Sequence, residues 1–262
     1  MNGIKQFSVF LNPYYWRTAL LIARCNLSRQ YRNSFLGMLW TLIQPLSVVI
    51  IYSIVMPMVM KFPVENYVVY LLCTLPLWTL ISASLIGCSA SLLSQAETLK
   101  HCLISSTVFP VADVLRNTYT YAIAFTTMYA FALLIGFPGS WYALLVPLYL
   151  IPILLTVMAL SVGIAFVAPF IRDIGDALVV LLNMVFWFSA IVFPVSMLPD
   201  WAQTITQWNP FYILMYPLIA LVYEHHLPEM EMMARLFFLL ALSVLIGYGL
   251  YRKCRRNFVY YM

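Results

Sequence analysis

His225 and His226 stand side by side with Glu224 before them and Glu229 and Glu231 after them. By residue type this is the one cluster in the sequence that offers metal ligands or acid–base partners. Neighbouring side chains diverge, however, so two adjacent histidines make a poor ligand pair. No Ser–His–Asp set or paired carboxylates stand at a plausible active depth. None of the nine glycines belongs to a GxxxxGK[ST] phosphate loop, so the chain cannot bind ATP in that manner. Cys25, Cys73, Cys88, Cys102 and Cys254 form no CxxC pair and read as reduced, small hydrophobes. What remains is aromatic and neutral. Trp40, Gln44, Ser47 and Val48 recur at helical spacing with Tyr52 near their face, and Asn183, Trp187 and Ala190 do the same later in the chain. Aromatic faces with amide hydrogen-bonders suit a neutral sugar polymer, which needs stacking and hydrogen bonds without tight charge capture. Ordinary helix packing explains the same stripes equally simply.

The elements that must carry these residues follow from composition. The chain has 262 residues, 64% of them hydrophobic and 9% charged, against about 45–50% and about 25% in a soluble domain. A soluble enzyme, a secreted disulfide scaffold and a disordered regulator are excluded; the solvent is lipid. The sequence predicts an all-α polytopic membrane protein forming one transmembrane domain over 1–262, with no signal peptide. Crossing a hydrocarbon core of roughly 30 Å takes about 20 apolar residues. Six runs qualify: Leu36–Met60, Tyr67–Leu93, Thr118–Phe137, Trp141–Phe170, Ala177–Val195 and Leu236–Tyr251. A seventh, Pro210–Tyr223, has 14 residues and reaches only about 21 Å, so it should enter and turn back or lie along the surface. The six-span core occupies 36–251, preceded by a segment 1–35 and followed by a tail 252–262.

Six spans place both termini on one side. That side would hold 12 of the 14 Lys and Arg, among them Lys5, Arg17, Arg24, Arg29, Arg32, Lys100, Arg116, Arg172 and the Arg252–Arg256 run. Lys61, Arg235 and five acids fall on the other. Positive residues stay in the cytoplasm, so both termini are expected there. The net charge of +5 then reflects topology and contact with membrane lipids, and nucleic acid is not an expected partner. No Asp, Glu, Lys or Arg stands deep within a span, unlike in proton- or sodium-coupled transporters.

Outside the spans, Trp16, Leu20, Ala23, Leu27 and Tyr31 share one helical face flanked by Arg17 and Arg24, with Arg29 and Arg32 further round. That pattern predicts a helix lying in the interface, as an anchor or as a docking element. The stretch Ser94–Asn117 mixes Glu97, Lys100, His101, Asp113 and Arg116 with Phe109 and Pro110, and reads as a surface for another protein or as a solvated connector. Arg172, Asp173 and Asp176 precede the fifth run, where helix capping and the dipole account for the two acids. On the outer side, Pro194 breaks the fifth run, an amphipathic piece Leu198–Trp208 carries Trp201 and Trp208, and Asn209–Pro210 supplies an N-cap and first-turn proline to the short run containing Tyr212. These two pieces read as a gate or as an interfacial loop.

RQYRNSFLGMLWTLIQP at Arg29–Pro45 resembles the entry to the first span in membrane subunits of ABC polysaccharide exporters. Arg172–Ile174, Phe193–Pro199, Asn209–Pro210 and the closing RRNFVYYM also resemble that family, most of all its exporters of lipid-linked O antigen, with capsule and teichoic-acid exporters nearby. The resemblance brackets nearly the whole chain. It implies a homodimer paired with two separate ATPase subunits, which would bind ATP and Mg, with no cofactor in this chain. The dimer would carry a polymer on an undecaprenyl-type lipid across the bacterial inner membrane. It further implies an interface helix at Pro13–Arg32, which holds Trp16, Arg17, Arg24 and Arg32. A coupling helix would lie near Gln95–Ser106, with Glu97, Lys100 and His101, and Arg172–Asp173 would join the same face. Gate helices would occupy Leu198–Tyr223, and the channel would be lined by the first and fifth spans, where Trp40, Gln44, Tyr52, Asn183 and Trp187 fall. Members often carry a basic residue soon after the Asn–Pro pair; Phe211–Ala220 has none.

Two other functions fit parts of this pattern. An exporter of drugs or small lipids shares the architecture. A membrane enzyme acting on a lipid-linked sugar would need acid–base residues at the surface, for which Glu224–Glu231 is the candidate region.

Overall fold

A computed structural model describes residues 12–32, 34–60, 66–101, 104–134 and 136–255, less the side chains of Pro57, Val59, Met60, Lys100 and His101. Lys5, Lys61, Glu65, Cys102 and the tail from Arg256 lie outside the described residues. Ten α-helices follow in order among those described: α1 (Pro13–Tyr31), α2 (Trp40–Met60), α3 (Tyr67–Ser91), α4 (Ala96–His101), α5 (Val108–Leu134), α6 (Val146–Val167), α7 (Ile174–Phe188), α8 (Asp200–Gln207), α9 (Pro210–Leu218) and α10 (Met230–Cys254). The chain is an all-helical polytopic membrane protein. Helical stretches at Gly37–Met56, Tyr67–Ser91, Trp141–Val167 and Met230–Cys254 are long and apolar enough to cross a bilayer.

α3 forms the centre. Tyr70, Leu71, Cys73, Leu77 and Ile81 are buried in it, surrounded by α5, α6 and the segment Tyr212–Val222. α6 and α10 press together where Gly163 meets Gly247; a Cβ on Gly247 would stand 2.1 Å from the Ala159 carbonyl oxygen. Small residues permit this approach, as is usual where membrane helices pack without a hydrophobic driving force. α2 and α7 flank the bundle and leave much of their apolar surface uncovered, including Ile50, Ile51 and Ile54 on one and Val180, Met184 and Phe188 on the other.

The structure departs from the sequence expectations, or adds to them, at four places. The fifth run is not one helix through Val195. α7 stops at Phe188, Ala190 takes φ +48°, and its 15 residues reach about 22 Å. The freed carbonyls are caught by one face of α3. Tyr67 Oη donates to Val192 O at 2.5 Å, Tyr70 Oη to Phe193 O at 3.0 Å and also to Ala190 O, and Thr74 Oγ1 to Ile191 O at 2.7 Å. A buried carbonyl without a partner is costly, and three hydroxyls at i, i+3 and i+7 supply partners here.

The stretch Ser94–Asn117 is mostly helix rather than a connector. α5 begins ten residues before Thr118, and Val108–Val111 is buried against α1 and α3, so the apolar patch at Phe109–Pro110 is consumed inside the chain. α1 also packs on the chain through residues beside the Trp16–Leu20–Ala23–Leu27–Tyr31 stripe. Tyr15 and Ala19 are buried against Val108 and Val111, Ala23 of the stripe is buried too, and Leu20 stays exposed. The small side chain of Ala19 lets α1 sit close to α5. Finally, the short run is buried from Tyr212 to Val222, ending in a π turn, which disfavours the surface alternative and leaves the re-entrant one.

Candidate functional site

Among the described residues, the fold brings Arg29, Arg116, Arg172 and the Arg252–Arg255 run toward one end. α10 ends where Tyr251 meets Phe166 edge to face at 4.8 Å, near the end of α6. Gly175, at the start of α7, lies against Ser89 near the end of α3; a Cβ there would stand 2.9 Å from the Ser89 hydroxyl. The exposed turn holding Arg172 and Asp173 is therefore at the same end as α4, which follows α3 directly. Asp173 occupies the N-cap position of α7 but makes no side-chain cap bond, and Asp176 stands in the first turn. Capping by Asp173 is thus absent, and the helix dipole accounts for both acids.

α4 presents Glu97 at this face, with Lys100 and His101 on its last turn and their side chains outside the described set. Beside it opens a cavity of about 430 Å³ lined by Asn26, Arg29, Ser94, Gln95, Asp113 and Arg116 among others. A polar chain crosses its wall. Asn26 Nδ2 donates to Asp113 Oδ1 at 3.2 Å, Arg116 Nη2 to Asn117 Oδ1 at 3.2 Å, and Asn117 Nδ2 to Ser84 Oγ at 3.1 Å. Tyr15 Oη donates to Thr107 Oγ1 at 3.1 Å, and burial pushes its phenol up to about 12, so it stays a neutral donor. These contacts fasten α1 to α5 and to the turn before it, and α5 to α3. Arg17, Arg24 and Arg32 are exposed on α1, and Trp16 is half-buried, edge-on to Tyr15 at 5.7 Å. The Asn26–Asp113 pair escapes a sequence reading because Asn26 lies off the apolar stripe.

Along the flank, Trp40 and Gln44 are both exposed on α2, and Asn183 and Trp187 are both exposed on α7, with Trp187 at 52%. The structure makes each pair neighbours on one helix face but brings no direct contact between the two pairs. Tyr52 is different: it is half-buried and faces Phe186 at 6.5 Å, where α2 meets α7. Phe186 continues to Trp78 at 5.7 Å and Trp78 to Phe211 at 5.5 Å, while Trp187 meets Phe186 edge to face at 5.3 Å. Trp78, Phe186 and Phe211 were not legible as a cluster, because each sits in an apolar run where an aromatic ring ordinarily means packing.

At the opposite end, Asn209 does what its spacing predicts: its Oδ1 accepts from Phe211 N at 2.9 Å, with Pro210 in the first turn. Its amide also donates to Phe188 O at 3.0 Å and Ser189 Oγ at 3.1 Å, tying the end of α7 to the start of α9. Trp201 and Trp208 are exposed on the outer piece, while Tyr212 is buried at 6%. The basic group absent after Asn–Pro arrives from elsewhere. Arg235 on α10 donates to Gln207 O at 3.0 Å, lies 4.3 Å from the Trp208 ring centroid and pairs with Glu231. Glu224 pairs with His226 at 2.9 Å. Among the described residues no group of three or more His, Cys, Asp or Glu could hold a metal ion. Of the three glutamates offered for acid–base work, Glu231 is thus held by Arg235 and Glu224 contacts the His226 ring, on the side away from the cavity.

Residues 17–223 match the family described as ABC-2 type transporter. Over 221 residues the chain is 26% identical to the O-antigen export system permease protein RfbA of Myxococcus xanthus, covering 83% of this chain and 85% of that one. Over 246 residues it is 22% identical to the O-antigen export system permease protein RfbA of Klebsiella pneumoniae, covering 94% and 95%.

Proposed function

The chain belongs to the ABC-2 type transporter membrane family, and from that premise we propose that it is the permease subunit of an ATP-driven exporter of a lipid-linked, O-antigen-like polysaccharide. The observation that carries the substrate class is likeness, over most of both chains, to relatives named O-antigen export permeases. In this reading two copies pair in the bacterial inner membrane with both termini cytoplasmic. The six spans comprise α2, α3, the part of α5 from Thr118, α6, the broken α7 with its hydroxyl-bound continuation, and α10. Two separate ATPase subunits bind ATP and Mg and act on the end that holds α1, α4 and the Arg172–Asp173 turn. The Asn26–Asp113 and Asn117–Ser84 bonds give that end a polar linkage from α1 into α5 and α3.

The exposed faces of α2 and α7 line the polymer path. A sugar chain in transit must find partners repeatedly without stalling. Trp40 and Trp187 supply shallow stacking, and Gln44 and Asn183 supply hydrogen bonds of about 0.5–1.5 kcal/mol net each. The outer piece with Trp201 and Trp208, clamped by Asn209 and Arg235, closes the far mouth.

The test is reconstitution with the ATPase in cells lacking their own permease. Surface polymer should return only with both subunits, and cysteines at Gln95–Ser106 should crosslink to the ATPase. Glu229→Cys should react with an impermeant thiol reagent from outside and Lys253→Cys should not. ATP turnover by the isolated chain, or drug resistance without restored polymer, overturns the reading.

A further inference from the structure

A second cavity, of about 470 Å³, lies outside the pathway, between the start of α1, the middle of α6 and the latter half of α10. Its lining includes Trp16, Leu155, Met158, Leu240, Val244 and Tyr251. Leu155 and Val244 are each about half exposed, so the cavity opens sideways toward the hydrocarbon rather than into the bundle. Gly247 and Gly163 bring α10 and α6 into contact beside it, and Trp16 of α1 lines it at the basic end.

We propose that this groove binds one acyl chain of an anionic phospholipid from the cytoplasmic leaflet, with its phosphate held by the basic end of α10. The inference rests on the membrane orientation proposed above. Three features select this occupant. From Leu240 to Tyr251 the groove runs 11 residues along α10, about 16 Å, which is half of a hydrocarbon core of roughly 30 Å and so the depth of one leaflet. The rim at the basic end is amphipathic, with Trp16, Thr107, Tyr248 and Tyr251, the residue types that settle at a headgroup boundary. Cations follow the rim residues along the chain. Arg17 follows Trp16, Arg252 and Lys253 follow Tyr251, and the Arg255 guanidinium stands 5.8 Å from the Tyr251 ring. No acid occurs in α1 or α6, and the one acid of α10, Glu231, lies at its other end. This sign of charge favours an anionic headgroup over an uncharged one.

The full chain, purified and placed in phosphatidylcholine nanodiscs, is exposed to trace phosphatidylglycerol or phosphatidylcholine carrying a diazirine on one acyl chain, then irradiated and mapped. Phosphatidylglycerol should label α6 and α10 around Leu155 and Val244 well above phosphatidylcholine. Val244→Phe, which fills the groove from its half-exposed rim, should remove that label. Arg252→Gln with Arg255→Gln should lower it by at least about ten-fold, since each cation near an anionic headgroup contributes roughly five-fold. Both variants are compared at equal amounts of monodisperse protein. Equal labelling by the two lipids, or labelling indifferent to both variants, means bulk lipid only and overturns the proposal. So does an intrachain crosslink from residues 1–11 into the groove, which would make the chain its own occupant. Transport is not an input to this measurement, and thiol labelling at Lys253→Cys reports the orientation separately.

Discussion

Thr74 gives its hydroxyl to the carbonyl of Ile191 at 2.7 Å, across 117 residues of sequence. With Tyr67 and Tyr70 it holds the backbone where the fifth apolar run leaves helical geometry. A buried carbonyl that loses its donor costs about 1–3 kcal/mol. Thr74→Val with Tyr70→Phe removes the hydroxyls at nearly constant shape. The pair should lower the Tm of purified protein and reduce assembled yield, each single change doing so less. An unchanged Tm for the double variant would show that water or helix rearrangement satisfies these groups.

That break marks a limit of the sequence. Pro194 signals an end to the fifth run, but the helix stops six residues earlier at Phe188, and Ser189–Ala190 carries no turn chemistry that would announce it. The signal lies instead on α3, in hydroxyls that are indistinguishable from packing until their partners are known. The same holds for α5. Asp113, Arg116 and Asn117 look like a polar connector because their partners, Asn26 and Ser84, come from remote segments. Local signals fared better: Asn209–Pro210 gives the cap and first turn of α9 directly, and the apolar runs mark the long helices. Stripe reading of α1 found the helix but not its contact with α5, since Tyr15 and Ala19, which make it, lie beside the stripe.

Asn209 performs two jobs that substitution can separate. Asn209→Asp keeps the oxygen that caps α9 but loses the amide donated to Phe188 and Ser189. Asn209→Ala loses both, with about 0.5–2 kcal/mol expected for the cap alone. Export per complex should fall in both variants, while Tm should fall mainly in the alanine variant. Equal Tm losses would mean that the cap contributes nothing beyond the α7 tie.

Trp187 and Phe186 are adjacent yet opposite in environment. Trp187 is 52% exposed, whereas Phe186 packs among Tyr52, Trp78 and Trp187. If α7 lines the polymer path, Trp187→Ala should slow export of long polymer with little change in assembled complex. Phe186→Ala should leave a void and lower yield, as large aromatic truncations in packed sites cost about 3–5 kcal/mol. The readout is surface polymer normalised to intact complex. Normal export per complex with sharply reduced yield for Trp187→Ala would assign it to packing instead.

Gly247 and Gly249 stand one residue apart from each side of Tyr248, and only one of them is constrained. A Cβ at Gly247 would come 2.1 Å from Ala159 O and 2.8 Å from Ala159 C, both backbone atoms of the facing helix, so no rotamer change relieves the clash. At Gly249 nothing lies within 4 Å of the added carbon. At Gly163 the nearest atoms are Gly247 Cα at 3.0 Å and Leu250 Cδ1 at 3.2 Å, a tight contact in which the facing helix must give by a few tenths of an ångström. Because membrane helices associate through close packing rather than water exclusion, separating α6 from α10 removes much of what holds them. Gly247→Ala should therefore reduce monodisperse protein severely, Gly163→Ala moderately, and Gly249→Ala not at all or with a slight gain from higher helix propensity. Fluorescence size-exclusion yield across the three variants measures this order directly. Full yield for Gly247→Ala would mean that α6 and α10 do not meet at this crossing.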